Sequence, residues 1–417
     1  MKLSIITPSN NLHYITDLWE SIKNQTYENW EWVLYLNNNF GGDLIEEIKK
    51  HPKVKIHVDK PHKFSTNVGY LKNRAFNLGT GDVLVEVDHD DIITPDCLEE
   101  IAKAFNENPE VGFVYSNDAI LGGKGIPFRQ NLGWKYKKEK WENEECLVHQ
   151  SWEPSAYSIS QIYFAPDHVR AWKKEVYKKI GGHDETLSIL DDQELLIRTY
   201  QDSKLYHINK TLYIYRVHGG NTWLERNKQI QDGTWKLFNK HMQSLAEREA
   251  DLKGLRKIDI GGGLYPRKGY ETVDIKNGDI EADLNKKWPF KDNEIGVINA
   301  SHILEHLVDK HHSMSEIHRV LAHGGYAFID VPSTDGRGAF QDPTHVSYWN
   351  QNSFLYYTTS QLGQFIYNKD IRFQSLDLQT YYPNQWMKDN KVLVTRAWLR
   401  CIKKKDRDRD FPGEINI

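Results

Sequence analysis

Two short apolar runs that end in chemistry rather than in more core constrain this chain most. GDVLVEV, residues 81–87, stops at Asp88, His89, Asp90 and Asp91, and RKIDI, residues 256–260, stops at Gly261, Gly262 and Gly263. Each run sits among alternating strand-like and helix-like segments. Strand, helix, strand in that order builds a parallel sheet, whose ligands gather at the carboxyl ends of the strands. Two such series imply two α/β units, and 417 residues exceed a single domain at about 150 residues each.

The first series reads as strands at Leu3–Thr7, Trp32–Leu36, Val54–Val58 and Val83–Val87, with helices at Tyr14–Lys23 and Asn67–Asn77. Between Leu121 and Ser160 the periodicity breaks into an aromatic, charged stretch. Its Trp134, Trp141 and Trp152 are either a platform on which a flat-faced ligand stacks or the core of an irregular flap. Val169–Ile180 reads as a helix closed by Gly181 and Gly182. The polar, proline-free stretch Asn227–Lys253 holds the junction, giving domains 1–245 and 254–417.

Composition excludes several classes. Lys plus Arg is 54 and Asp plus Glu 58, so a net charge of −4 offers no electrostatic hold on nucleic acid. Cys97, Cys146 and Cys401 have neither disulfide nor thiolate-zinc spacing, which points to a reducing, cytoplasmic setting. MKLSIITPSN has only about four consecutive apolar residues before Thr7, too few for a signal-peptide core. No run reaches the roughly 18–20 apolar residues of a membrane span, which leaves peripheral membrane attachment open. Oligomeric state is not written in the sequence.

Carboxylates crowded at a strand end repel one another unless a cation sits among them. A hard divalent ion bridging Asp88 and Asp90 to a diphosphate accounts for VDHDD; the alternative is a turn in which Asp91 caps the next helix. ITPSNN, LKNRAFNLGTGD, VDHDD and IGGHDETLSILDDQELLIR, in that order, resemble the inverting, family-two glycosyltransferases of the GT-A fold, over about Met1 to Asn227. The resemblance implies transfer of a sugar from a nucleotide diphosphate, usually a UDP-sugar, with Mn2+ or Mg2+. It assigns Asp90 and Asp88 to the metal, with Asp88 nearer the ribose, Lys72 and Asn73 to the family's Arg-Asn step, and Pro8 with Asn37 or Asn38 to the nucleoside. LNNN replaces the aspartate common there, though an amide still bonds a uracil edge.

Asp191 and Asp192 match the family's acidic pair, with Asp192 as the base that takes the acceptor proton. The competing role is capping of a helix Gln193–Tyr200. YRVHGGN resembles the family's later Tyr-Arg-x-His element, so His218 reaches the diphosphate or metal, or is structural.

In the second series, Asp274 ends the strand ETVDI shortly after the glycines, and Pro266 stands where a dinucleotide fingerprint needs its third glycine. NAD is therefore disfavoured. IDIGGGLYPRKGYETVDI, ADL, GVINASHILEHL and EIHRVLAHGGYAFIDVPS resemble the class I S-adenosylmethionine-dependent methyltransferases, with a Rossmann-like fold, over about Arg256 to Ser333. That resemblance places Gly261 and Gly263 around the methionine moiety, Asp274 on the ribose and Asp283 near the adenine, with Asp259 in the glycine motif. LYPRKGY replaces the family's first helix. HILEH, His302–His306, also satisfies a zinc-protease signature, but its place after a strand end in this series belongs to a methyltransferase. His345 in QDPTHVSYW is either a base for sugar O-methylation or a turn residue after Pro343.

The expectation is an α/β enzyme with both activities, glycosylating a glycan acceptor and methylating sugar hydroxyls. The rival is a glycosyltransferase whose C-terminal unit only docks. A nucleotidyltransferase lacks its lysine-containing glycine loop here.

Overall fold

The computed structural model describes residues 1–37, 44–60, 62–121, 135–141, 144–162, 165–218 and 226–404. Its described residues divide into two compact units, one running up to Leu245 and the other from Ala246. The division falls inside helix Asn227–Leu252. No helix among the described residues is long and apolar enough to cross a membrane.

The first unit is built on β1 (Leu3–Ser9), β2 (Trp30–Leu36), β3 (Val54–Val58), β4 (Val83–Glu86), β5 (Ile92–Ile93), β6 (Val111–Leu121), β7 (Lys135–Trp141), β8 (Glu144–Gln150), β9 (Arg170–Lys173) and β10 (Lys204–Arg216). Their order is β3-β2-β1-β4-β9-β6-β10-β5, with β8 on β6 and β7 on β8. β1, β2, β3 and β4 run parallel, so Pro8, Asn37 and Asp88 come to one end of the sheet. The central strands are apolar on both faces, as a sheet covered by helices requires.

One local expectation is corrected and two open alternatives are decided. Val169–Ile180 is not one helix: Arg170–Lys173 is a strand, antiparallel between β4 and β6, and helix Lys174–Lys179 follows. Arg170, Ala171 and Trp172 are all buried, a two-faced burial that a sheet's interior strand imposes and an amphipathic helix does not. The broken stretch after Leu121 contains the hairpin β7–β8 and helix Ala156–Gln161. Trp152 is buried and Trp141 packs against a small apolar cluster, so both are core; Trp134 lies outside the described residues. Asp91 caps no helix, because strand β5 follows it and its carboxylate accepts from Tyr213 Oη at 2.8 Å and from the Arg216 amide at 2.7 Å.

The second unit has β11 (Arg256–Ile260), β12 (Glu271–Asp274), β13 (Ile280–Glu281), β14 (Ile295–Ser301), β15 (Leu321–Pro332), β16 (Arg372–Tyr381) and β17 (Val394–Ile402), ordered β13-β12-β11-β14-β15-β17-β16. The sheet is parallel through β15 and antiparallel at β17 and β16. A loop without helix joins β11 to β12, as LYPRKGY implies. Its first turn needs glycine: Gly261 has φ +78°, and a Cβ there would stand 2.7 Å from the Ile303 side chain.

Candidate functional sites

In the first unit the carboxyl ends of β1 and β4 open into a cleft of about 580 Å³, lined by Pro8 to Asn11, Lys72, Asp88 to Asp90, His168, Asp191, Asp192 and His218, among others. Its acidic wall follows from β4 ending at Glu86. Asp88 is half-buried, and its carboxyl is pushed up by desolvation and by Glu86 and Asp90, against the pull of Lys72 and His168. Asp90 Oδ2 meets His218 Nε2 at 2.8 Å, while Asp91 is turned away to Tyr213 and β10. Asp88 and Asp90 in the cleft, with an imidazole beside them, form a donor set that fits a hard divalent cation.

The acid pair opens helix Asp191–Asp202. Leu190, at φ +61°, turns the chain into it, and neither aspartate is a cap. A buried cation supports each acid. Arg170 Nη1 donates to Asp192 Oδ2 at 2.9 Å, and Lys72 Nζ lies 3.6 Å from Asp191 Oδ2. Both cations also face fully buried Glu86, Lys72 at 2.5 Å and Arg170 at 3.8 Å. Burial would raise the Glu86 carboxyl, but these two charges hold it far below the usual range. Burial likewise opposes charge on Lys72, and Glu86 and Asp191 outweigh it.

The two aspartates separate in consequence. Desolvation, Asp192 and Glu86 push Asp191 up to about 7 despite Lys72, and its Oδ2 makes no hydrogen bond. Asp192 is also desolvated, though more open than Asp191, and Arg170 and Lys72 bring it below its ordinary value, so it stays ionised. Gly69 allows this packing: helix Val68–Leu78 passes so close to the loop before the acid pair that a Cβ would stand 2.0 Å from Asp184 O.

In the second unit the glycine turn and Asp274 meet at the ends of β11 and β12. Gly263 N donates to Asp274 Oδ2 at 3.1 Å, and Ile275 N to Oδ1 at 2.6 Å. The exposed side chains Leu264, Tyr265 and Ile275 follow the glycines and the acid. A carboxylate beside bare backbone and uncovered apolar surface fits a nucleoside. Asp283, an exposed carboxylate after β13, accepts from Asn285 N at 3.0 Å.

The profile named Glycosyl transferase family 2 matches residues 4–153, and the profile named Methyltransferase domain matches residues 256–329. The chain carries a family 2 glycosyltransferase domain followed by a methyltransferase domain. Among curated relatives, chondroitin synthase of Escherichia coli is 23% identical over 263 residues, 62% of this chain and 35% of that protein. An uncharacterized glycosyltransferase of Haemophilus influenzae is 28% identical over 225 residues, 52% of this chain and 68% of its own length. The crystal structure of S. aureus TarS 1-349 in complex with UDP aligns at 18% identity and TM-score 0.43, covering 61% of this chain and 71% of that one.

Within the glycosyltransferase domain the structure brings together Pro8, Asp88, Asp90, His218, Asp191 and Asp192, and corrects two assignments. Lys72 lines the cleft, but its ammonium is committed to Glu86 and Asp191. Asn73 is buried, its amide donating to His183 O at 2.7 Å, so it holds the loop before the acid pair instead of facing a ligand. Asn37 reaches Ser9 O through its backbone amide, and Asn38 lies outside the described residues. Glu86 and Arg170 were missed. The signal was present: a glutamate inside the apolar run VLVEV requires a buried cation partner.

In the methyltransferase domain Asp259 is a positioning residue, accepting from Asn299 Nδ2 at 2.7 Å and Arg267 N at 2.9 Å, which pins the glycine loop to β14. HILEH does not set its histidines on one helical face. His302 sits at φ +54° and only Leu304–His306 forms a 3-10 turn, because the segment leaves β14 sharply. His345 comes instead to Glu305 and His306.

Proposed function

We propose that the first domain, residues 1–245, transfers a sugar from a nucleotide diphosphate, with UDP as carrier, to a glycan hydroxyl with inversion. The observation that carries this reading is the shared cleft: an acidic wall of Asp88, Asp90 and His218 and an acid pair of Asp191 and Asp192 line the same opening. Bound at Asp90, Asp88 and His218, Mn2+ or Mg2+ would supply positive charge to the departing diphosphate. Asp192 takes the acceptor's hydroxyl proton, the acceptor oxygen bonds the anomeric carbon, and the carbon–oxygen bond to phosphate breaks with its electron pair leaving on the diphosphate. Inversion follows from attack on the face opposite the leaving group. Arg170 keeps Asp192 ionised for this role. Similarity to chondroitin synthase supports a place in polysaccharide assembly.

The second domain, residues 254–417, then methylates a sugar hydroxyl with S-adenosylmethionine, held by Gly261, Gly263, Asp274 and Asp283. Cys97, Cys146 and Cys401 are all buried, which supports a cytoplasmic setting.

A thermal-shift panel of UDP, UDP-sugars and S-adenosylmethionine, each with and without Mn2+, tests both sites, since a ligand of the folded state raises the melting temperature. The reading expects a Mn2+-dependent shift with UDP compounds and a separate one with S-adenosylmethionine. No shift with any nucleotide would refute the first assignment, and none with S-adenosylmethionine would leave the second domain a docking module.

A further inference from the structure

Glu305 is the least satisfied charged group of the second domain. Its side chain is 3% exposed, and neither carboxylate oxygen makes a hydrogen bond. A buried carboxylate without partners is costly, so its retention calls for a ligand or a function. The neighbouring imidazoles stand beyond hydrogen-bond reach of it: His302 Nδ1 is 3.5 Å away and His345 Nε2 3.9 Å.

Two imidazoles lie beside it, those of His306 and His345, with ring centroids 5.0 Å apart. His345 Nδ1 bonds Ala339 O at 2.9 Å, which makes Nδ1 the protonated nitrogen and leaves the Nε2 lone pair free. His306 Nδ1 lies 3.2 Å from Thr344 O and 3.2 Å from Thr344 Oγ1, so its Nε2 is free on the same logic. A histidine whose second nitrogen is fixed by a backbone carbonyl is the usual state of a metal ligand. One ligand atom each from Glu305, His306 and His345 lies within 4.8 Å of the others. Bonds of about 2.0–2.2 Å place the ligand atoms of a tetrahedral site about 3.3–3.6 Å apart, a side-chain closure of roughly an ångström.

We propose that Glu305, His306 and His345 bind a divalent transition-metal cation, Zn2+ by its preference for two imidazoles and one carboxylate. Three protein ligands leave a fourth position for water or a hydroxyl oxygen. The group follows β14, whose neighbour β11 ends in the glycine turn: Gly261 packs against Ile303, two residues before Glu305. His345 is on this account a ligand, not a free base. Cation binding here does not depend on the acceptor or on whether S-adenosylmethionine is used.

Calorimetric titration of the metal-stripped, full-length protein with ZnCl2 decides it, run in an Asp90→Ala background so that the first domain's acidic cleft is silenced. One equivalent of Zn2+ binds, and His306→Ala and His345→Ala each weaken it about 100-fold or more. Co2+ in place of Zn2+ gives visible d–d absorption, which is lost in both variants. Unchanged Zn2+ affinity in folded His306→Ala and His345→Ala protein overturns the proposal. His306 is only partly buried, so its variant decides the matter if Glu305→Gln or His345→Ala fails to fold. Failure of S-adenosylmethionine to bind leaves the Zn2+ result standing, which keeps the two readings distinguishable.

Discussion

Arg170 Nη1 donates to Asp192 Oδ2 at 2.9 Å from a position that is 1% exposed, so one aspartate of an adjacent pair is held ionised by a cation that solvent barely reaches. Asp191, one residue away, has Lys72 only at 3.6 Å and no hydrogen bond to Oδ2, and its carboxyl rises to about 7. Neighbours in sequence thus become different acids, the division of labour by which one site supplies a base at neutral pH.

Weakening that ion pair should show in the pH profile. Arg170→Lys keeps a charge but loses the planar fork that meets both Asp192 and Pro166 O. Sugar-transfer rates of the variant are expected to fall several-fold more at pH 6 than at pH 8, because Asp192 then protonates at higher pH. A profile superimposable on the parent's would separate Arg170 from the base.

Asp191 makes a stability prediction with a definite sign. Its folded value of about 7 lies above the ordinary 3.8, so the folded state binds this proton more tightly than the unfolded chain does. The stabilisation is full below the unfolded value and disappears as pH rises through about 7. Asp191→Asn, neutral at every pH, should therefore melt higher than the parent at pH 8, by about 2–4 °C per kcal/mol recovered, and close to the parent at pH 5. Thermal denaturation at the two pH values checks it; a lower melting temperature at pH 8 would mean that the Lys72 contact dominates.

The two nucleotide sites should be separable by single substitutions. Asp90→Ala is expected to abolish the Mn2+-dependent response to UDP and spare that to S-adenosylmethionine, and Asp274→Ala to do the reverse. Loss of both responses in either variant would signal a folding defect, which circular dichroism reports.

The fold was legible where periodicity and chemistry coincided. β1, β2 and β4 are largely apolar runs closed by turn or acidic residues, β3 alternates as VKIHV, and the strands β11 and β12 are bracketed by glycines and Asp274. Arg170–Lys173 was not legible as a strand, because RAWK continues without a break into the helical KEVYKK and its antiparallel partners lie 86 and 57 residues away, at Val85 and Val114 from Ala171. Asp88 and Asp90 could be named because carboxylates crowded at a strand end repel one another without a cation, and Asp191, Asp192 and His218 because their segments resemble motifs of a known family. The roles of Lys72, Asn73 and Asp259 could not, since each is set by a partner distant in sequence: Glu86 and Asp191, His183, and Asn299. The meeting of Glu305 and His306 with His345 has the same origin, a loop some forty residues on returning to β14's end.

The central claim is that Asp192 is the base of a sugar transfer in the first domain's cleft. The most direct measurement compares Asp192→Asn with the parent protein, reading UDP release from a UDP-sugar panel with Mn2+ alongside calorimetric binding of UDP. The account predicts UDP affinity within about twofold of the parent and turnover reduced about 10²- to 10⁴-fold, the range a positioned base supplies. Turnover retained in Asp192→Asn, with UDP still bound, would contradict it.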